Sequence, residues 1–224
     1  MLTVMMAAPD DPTAETPPWL LHADAALLVV DKPAGLLAVP GRGADKADCV
    51  LARLLRHWPD ARVVHRLDMA TSGSMAFARG AAAQRLLSAA FAAREVEKRY
   101  VAVVAGLVEA ESGTIDLPLA ADWPNRPLQI VDVAQGKRSL THWQVLGRDA
   151  IAGTTRLALT PVTGRTHQLR VHLQAIGHPI LGDALYAPAA VAAAVPRLLL
   201  HASDLALPHP EDGRRVAFHI PPTF

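Results

Sequence analysis

Asp68 stands in the stretch His65-Arg66-Leu67-Asp68-Met69-Ala70-Thr71-Ser72-Gly73, where one carboxylate shares nine residues with an imidazole, a guanidinium and two hydroxyls. A carboxylate kept ionised by a neighbouring cation can attack an electrophilic carbon or stabilise positive charge building on one. An isolated loop aspartate more often only builds a turn, so the density of donors around Asp68 is what singles it out. A second chemistry is open to the ten histidines. His65, His167, His172 and His178 could converge on a cation in a metal-dependent hydrolase. The spacing opposes this, because His167 and His172 are five apart, off the i, i+4 face of helical zinc pairs, and no HExxH motif accompanies them. No P-loop, no GxGxxG after a strand and no paired-cysteine zinc spacing occurs.

The elements that must position Asp68 can be read from periodicity. Val63-Val64 leads into the loop, and an apolar strand from Met75 to Ala78 leaves it; a polar loop between buried strands commonly carries a site. Upstream, Leu27 to Val30 reads as a strand stopped by Asp31-Lys32-Pro33-Ala34-Gly35, in which Pro fixes φ and Gly relaxes it. Helices are predicted over Val50–His57 and Ala81–Ala93, the second burying Leu86, Leu87 and Phe91. Downstream, Tyr100–Ala105 and Leu157–Val162 read as strands. Thr166–Ile176 reads as a helix with Leu169, Leu173 and Ile176 on one face and Gly177 as its stop. Leu198–Leu200 and Val216–His219 close the chain as strands. Strands and helices without a regular βαβ rhythm predict an α+β fold with a largely antiparallel sheet.

Composition sets the limits. A chain of 224 residues, 51% hydrophobic, can bury a sizeable core as one large domain or two joined lobes. The single cysteine, Cys49, cannot form an intramolecular disulfide, and the N-terminus has neither a basic start nor a sustained apolar run, so a cytoplasmic location is expected. The net charge of +1 is unevenly spread. Residues 1–24 carry four acids and no Lys or Arg, whereas Arg53 to Tyr100 holds nine cations against four acids, an excess suited to phosphate. Residues 1–18 lack apolar periodicity and are expected to be a mobile acidic tail, with the functional domain over 19–224. Eighteen arginines against four lysines suit bidentate phosphate contacts and base stacking, although a GC-rich genome produces the same bias.

The order His-Arg-Leu-Asp, two residues, then Thr-Ser-Gly resembles the signature loop of the RluA family of pseudouridine synthases. Val29-Val30-Asp31-Lys32-Pro33-Ala34-Gly35-Leu36 is similar to that family's opening strand and turn, and Lys98-Arg99-Tyr100-Val101-Ala102 to its tyrosine-bearing strand. Pro161-Val162-Thr163-Gly164-Arg165-Thr166-His167-Gln168-Leu169-Arg170-Val171-His172, followed by Gly177-His178-Pro179-Ile180-Leu181-Gly182-Asp183, resembles the third signature. Asp122-Trp123-Pro124-Asn125-Arg126-Pro127 and Arg197-Leu198-Leu199-Leu200-His201-Ala202 point within the family to members acting on both ribosomal and transfer RNA.

The resemblance implies a pseudouridine synthase fold, its mixed, largely antiparallel sheet flanked by helices and crossed by a catalytic cleft, without the S4-type RNA-binding domain of many relatives. It implies a cofactor-free isomerase with no metal, acting as a monomer on 23S ribosomal RNA and tRNA, needing neither a membrane nor a protein partner. Asp68 would attack or stabilise the detached sugar or base, Arg165 would pair with it, and Tyr100 would stack on uracil and handle the proton at C5. Arg66 would fill the gap left by a flipped base or contact phosphate. His65, Thr71, Leu169 and Arg170 complete the RNA-binding set, Leu169 being equally readable as core. A rival reading is an RNA-binding module without activity.

Overall fold

The computed structural model describes residues 17–43 and 46–224; most of the stretch expected to be a tail, residues 1–16, lies outside the described residues. The chain divides into two compact units, one of residues up to Glu97 together with Ala202–Pro221, the other of Lys98–His201 with Pro222–Phe224.

In the first unit, β1 (Leu20–Ala23) and β2 (Leu27–Lys32) form an antiparallel hairpin. Asp24 builds its turn: Oδ1 accepts the N–H groups of Ala26 and Leu27 at 2.8 Å each. Burial works against the charge on Asp24, but these hydrogen bonds and those from His209 and His22 outweigh it and hold the carboxyl down at about 2. β2 pairs with β4 (Ser72–Arg79), which also pairs with β3 (Ala61–Val63), while β11 (Leu200–Pro208), which begins in the second unit, pairs with β12 (Arg215–His219). α1 (Val50–Leu54) is capped by the Cys49 sulfur, 3.3 Å from Ala52 N.

α2 (Gly80–Ala93) packs on β3 and β4. The core joins Leu27 and Val29 of β2, Ala76 and Ala78 of β4, Ala83, Leu87 and Ala90 of α2, and Leu205 and Leu207 of β11. Alanines at 76 and 78 leave room for the helix to approach, and Leu87, wholly buried, contributes about 2–3 kcal/mol by leaving water. The expected stripe is corrected in one place: Leu86 faces solvent, because the buried line follows Ala83, Leu87 and Ala90 at helical spacing.

In the second unit the strand order is β5 (Glu97–Ala105), β10 (Thr154–Pro161), β9 (Leu140–Asp149), β6 (Ser112–Asp116), each pairing antiparallel. β7 (Leu119–Ala121) and β8 (Gln129–Val131) form a separate hairpin against which α3 (Gln168–Ala175) lies. α4 (Ala189–Ala193) is a single short turn. α3 starts two residues later than expected because His167 is left-handed, at φ 53°, and it ends where Gly177, at φ 85°, takes the left-handed turn. Ile176, expected on the buried face, is exposed. The fold is α+β with largely antiparallel strands, as the sequence predicts.

Gly73 ties the loop's exit to this frame. Its φ is +111°, and a Cβ there would sit 2.3 Å from the carbonyl oxygen of Ala202. Gly73→Ala should therefore lower stability by about 2 kcal/mol or more, read as a reduced urea midpoint; an unchanged midpoint would contradict this account of the strand entry.

Candidate active site

Within the first unit, the loop from His65 to Ala70 exposes Arg66 and Met69, buries Leu67 and half-buries the rest. His65 stacks on Phe91 of α2, ring centroids 4.5 Å apart, and its Nε2 accepts the N–H of Ala76 at 2.9 Å. That bond requires a bare Nε2, so His65 is a neutral pillar between β4 and α2. Arg66 is exposed, Leu67 is buried, and Asp68 is half-buried with its backbone carbonyl accepting from Thr71 N–H at 3.1 Å. Thr71, 2% exposed, closes this turn beneath the loop.

Lys32 fixes the far side of the loop. Its side chain is wholly buried, and its ammonium donates to the carbonyls of Pro33 (2.9 Å), Leu36 (2.7 Å) and Met69 (3.0 Å). The Met69 carbonyl also accepts the N–H of Gly35, 2.8 Å. The residue after Asp68 is thus held to the turn after β2 by a charge whose three protons are all used, the condition under which burying an ammonium is tolerable.

The second unit places Tyr100 and Arg165. Lys98 and Tyr100 are two apart on β5 and share a face. The ammonium of Lys98 comes within 3.7 Å of the position a Cβ would take at Gly164, beside Arg165, and burial pushes that ammonium below its ordinary value. Arg165 is exposed, its Nε 3.4 Å from the Arg138 carbonyl, and its backbone is held by Gln168. The Gln168 side-chain oxygen Oε1 accepts from the Arg165 N–H (3.0 Å) and the Thr163 hydroxyl (2.7 Å). Its amide donates to the Leu140 carbonyl and Thr141 Oγ1, both at 3.0 Å. Thr141 donates onward to His172 Nδ1 (2.9 Å), whose Nε2–H reaches the Leu117 carbonyl (3.0 Å). The run of donors fixes His172 as neutral, and burial pushes its pKa below the usual range against the opposing pull of Leu117 and Asp116.

Two expected RNA-contacting side chains lie in the interior. Leu169 is buried, and Arg170, 4% exposed, donates from Nε and Nη2 to the two carboxylate oxygens of Asp183 at 2.8 and 2.6 Å while lying 5.0 Å over the Tyr186 ring. An RNA contact by Arg170 would have to break that bidentate pair. Tyr186 in turn accepts Gln129 N–H at 2.9 Å and meets His167 Nδ1 at 2.6 Å. Among the described residues, none of His65, His167, His172 and His178 belongs to a group able to hold a metal ion. Each ring nitrogen named above, and His178 Nδ1 on the Ala105 carbonyl, is engaged separately.

Sequence reasoning missed Lys32, Gln168, Asp183 and Tyr186 as positioning residues. Lys32 carried a signal: by strand alternation it falls on the face of Leu28 and Val30, where a lysine has to find carbonyls.

The family described as RNA pseudouridylate synthase matches residues 26–175. The chain is 49% identical over 209 residues to the dual-specificity RNA pseudouridine synthase RluA of Escherichia coli K12, covering 92% of this chain and 95% of that protein. It is also 49% identical to the Yersinia pestis protein of the same name, covering 89% of this chain and 96% of that one. Among solved structures, human RNA pseudouridylate synthase domain containing 1 superposes with a TM-score of 0.76 at 31% identity, covering 92% of this chain and 83% of that one.

Two outcomes follow from the buried networks. Lys32→Ala, which removes the ammonium from the Pro33, Leu36 and Met69 carbonyls and leaves Met69 only the N–H of Gly35, should cost about 2 kcal/mol or more in chemical unfolding; a loss below about 0.5 kcal/mol would remove Lys32 from its clamp role. His172 binds its proton less readily folded than unfolded. Stability should therefore fall as pH drops below the ordinary histidine value of 6.5, and His172→Gln should flatten that dependence. A variant with the full wild-type slope would assign the dependence elsewhere.

Proposed function

The chain belongs to the RNA pseudouridylate synthase family, and from that premise we propose that it converts selected uridines to pseudouridine in both ribosomal and transfer RNA. The observation that carries the dual specificity is 49% identity over 92% of the chain to enzymes named for it. Its partner is RNA, the working unit is a monomer, and the compartment is the cytoplasm, where those RNAs reside. No helix among the described residues is long and apolar enough to cross a membrane.

The reaction breaks the bond between uracil N1 and ribose C1′, turns the ring and joins C1′ to C5. N1 gains a proton and C5 loses one, so the isomerisation balances without oxidant or co-substrate. Asp68 serves at C1′ or on the base while the two are detached, with Arg165 as the cation that keeps it ionised and oriented. The exposed Arg165 guanidinium stands on a loop whose backbone is fixed through Gln168, which supports its use as a preset charge. Tyr100, half-buried on β5, stacks on uracil and handles the C5 proton. Taking the uridine out of its stack costs a few kcal/mol, about the strength of one stacking step. Arg66, the outward-facing cation two residues before Asp68, fills the vacated place or holds the adjoining phosphate. His65, Thr71, Leu169 and Arg170 act behind this surface by holding its loops.

Asp68→Asn keeps the shape of the side chain and removes its charge. It should reduce pseudouridine formation, measured by tritium release from C5-labelled hairpins, by at least about 1,000-fold, with RNA affinity within about threefold of wild type. Full activity would remove Asp68 from the chemistry. Arg165→Met should slow the single-turnover rate far more than it weakens RNA binding; the reverse pattern would make Arg165 an anchoring residue only. Conversion of a ribosomal hairpin and a tRNA anticodon stem-loop by one preparation tests dual specificity, and conversion of only one refutes it.

A further inference from the structure

A second constellation lies in the first unit and is used by none of the above. His22 at the end of β1, Asp24 in the β1–β2 turn and His209 just after β11 meet at one point. Asp24 Oδ2 lies 2.6 Å from His22 Nε2 and 2.8 Å from His209 Nε2. Among the described residues this is the one group of three His, Cys, Asp or Glu side chains whose ligand atoms all fall within 4.8 Å of one another. We propose that His22 Nε2, Asp24 Oδ2 and His209 Nε2 form a binding site for a divalent transition cation of the zinc class, which clamps the β1–β2 turn to the β11–β12 turn.

The donor chemistry fits. Two neutral imidazoles and one carboxylate make a nitrogen–oxygen set of net charge −1, suited to a borderline dication rather than to calcium or magnesium. Ligands about 2.0–2.1 Å from a tetrahedral metal stand about 3.3 Å apart, so from separations of 2.6 and 2.8 Å His22 Nε2 has to retreat from Oδ2 by about 0.7 Å and His209 Nε2 by about 0.5 Å. Each imidazole keeps its proton by moving it from Nε2 to Nδ1, so the step balances with no proton released. The surroundings match what orients metal ligands elsewhere. Asp24 Oδ1 is occupied by the N–H groups of Ala26 and Leu27, which leaves Oδ2 as the single coordinating oxygen. On the far side of the His209 ring, Asp212 Oδ1 stands 3.6 Å from Nδ1, placed to accept the relocated proton; the Glu211 N–H that now approaches Nδ1, at a long 3.3 Å, is easily displaced. His209 is buried, while His22 and Asp24 keep part of their surface open, which gives a cation its way in and a water the fourth position.

The site joins segments 185 residues apart in sequence, so metal binding should be visible as stability as well as stoichiometry. The test uses the full chain, stripped with a chelator, incubated with equimolar zinc, desalted and measured by elemental analysis and thermal unfolding; cobalt(II) replaces zinc for a visible spectrum. Wild type should retain about one zinc per chain with a raised unfolding midpoint, and cobalt should give the intense absorption of a tetrahedral site. His22→Gln, at the more exposed of the two histidine ligands, should keep its circular dichroism and weaken zinc binding at least about tenfold. His219→Gln, which changes an exposed histidine of the same unit paired with Asp204, should bind zinc as wild type does. No retained zinc in wild type overturns the proposal, as does equal retention in His22→Gln or equal loss in His219→Gln.

Discussion

An ammonium with no water around it holds the loop that carries Asp68. Lys32 spends its three protons on the carbonyls of Pro33, Leu36 and Met69, and so converts a polar excursion between buried strands into a rigid shelf. A hydrophobic residue of the same length would fill the volume but take the ammonium donor from all three carbonyls, of which Met69 alone keeps another, the N–H of Gly35, a larger loss than the packing gained. His65, stacked on Phe91 and accepting from Ala76, fixes the other end of the same loop. Asp68 stands between two anchors, on backbone that has little freedom to give up, a preorganisation that suits the reacting role proposed for it.

The second unit solves the same problem with neutral groups. Gln168 joins Thr163, Arg165, Leu140 and Thr141, and His172 extends the run to Leu117. Each buried donor named has an acceptor, so the network favours one arrangement of the loop before α3. The Arg170–Asp183 pair performs the corresponding task between α3 and the loop after it, and Asp183 also accepts the N–H groups of Leu185 and Tyr186. The exposed guanidinium at 165 therefore rests on a buried framework.

Part of this was legible in the sequence. The strand at Leu27–Val30, the helix over 81–93 and the loop at 65–73 were readable because local signals agree there: an apolar run, helical spacing, and donors crowded around one carboxylate. β9 was not, since Leu140–Asp149 is half exposed and mixes His, Gln, Gly and Arg into its alternation, so no local pattern separates it from a loop. Leu86 misled because the buried line of α2 runs through Ala83, Leu87 and Ala90, so alanines hold core positions that side-chain size alone would assign to Leu86. The inward turn of His65 and Arg170 depends on Ala76 and Asp183, partners 11 and 13 residues away that spacing cannot identify. The convergence of His22 and Asp24 with His209 across 185 residues is a property of the folded chain alone.

The central claim, carried by the function proposed above, is that the carboxylate at 68 meets the ribose C1′ or the base of a uridine taken out of its stack. A crystal structure of the chain bound to a hairpin whose target is 5-fluorouridine tests this most directly, because a C5 without hydrogen cannot complete the final proton loss. The account predicts an extrahelical nucleotide whose C1′ or uracil ring lies within about 3–3.5 Å of an Asp68 oxygen, the separation of reacting groups. A target base still stacked in the RNA, or a target nucleotide whose C1′ and base both lie away from Asp68, would contradict it.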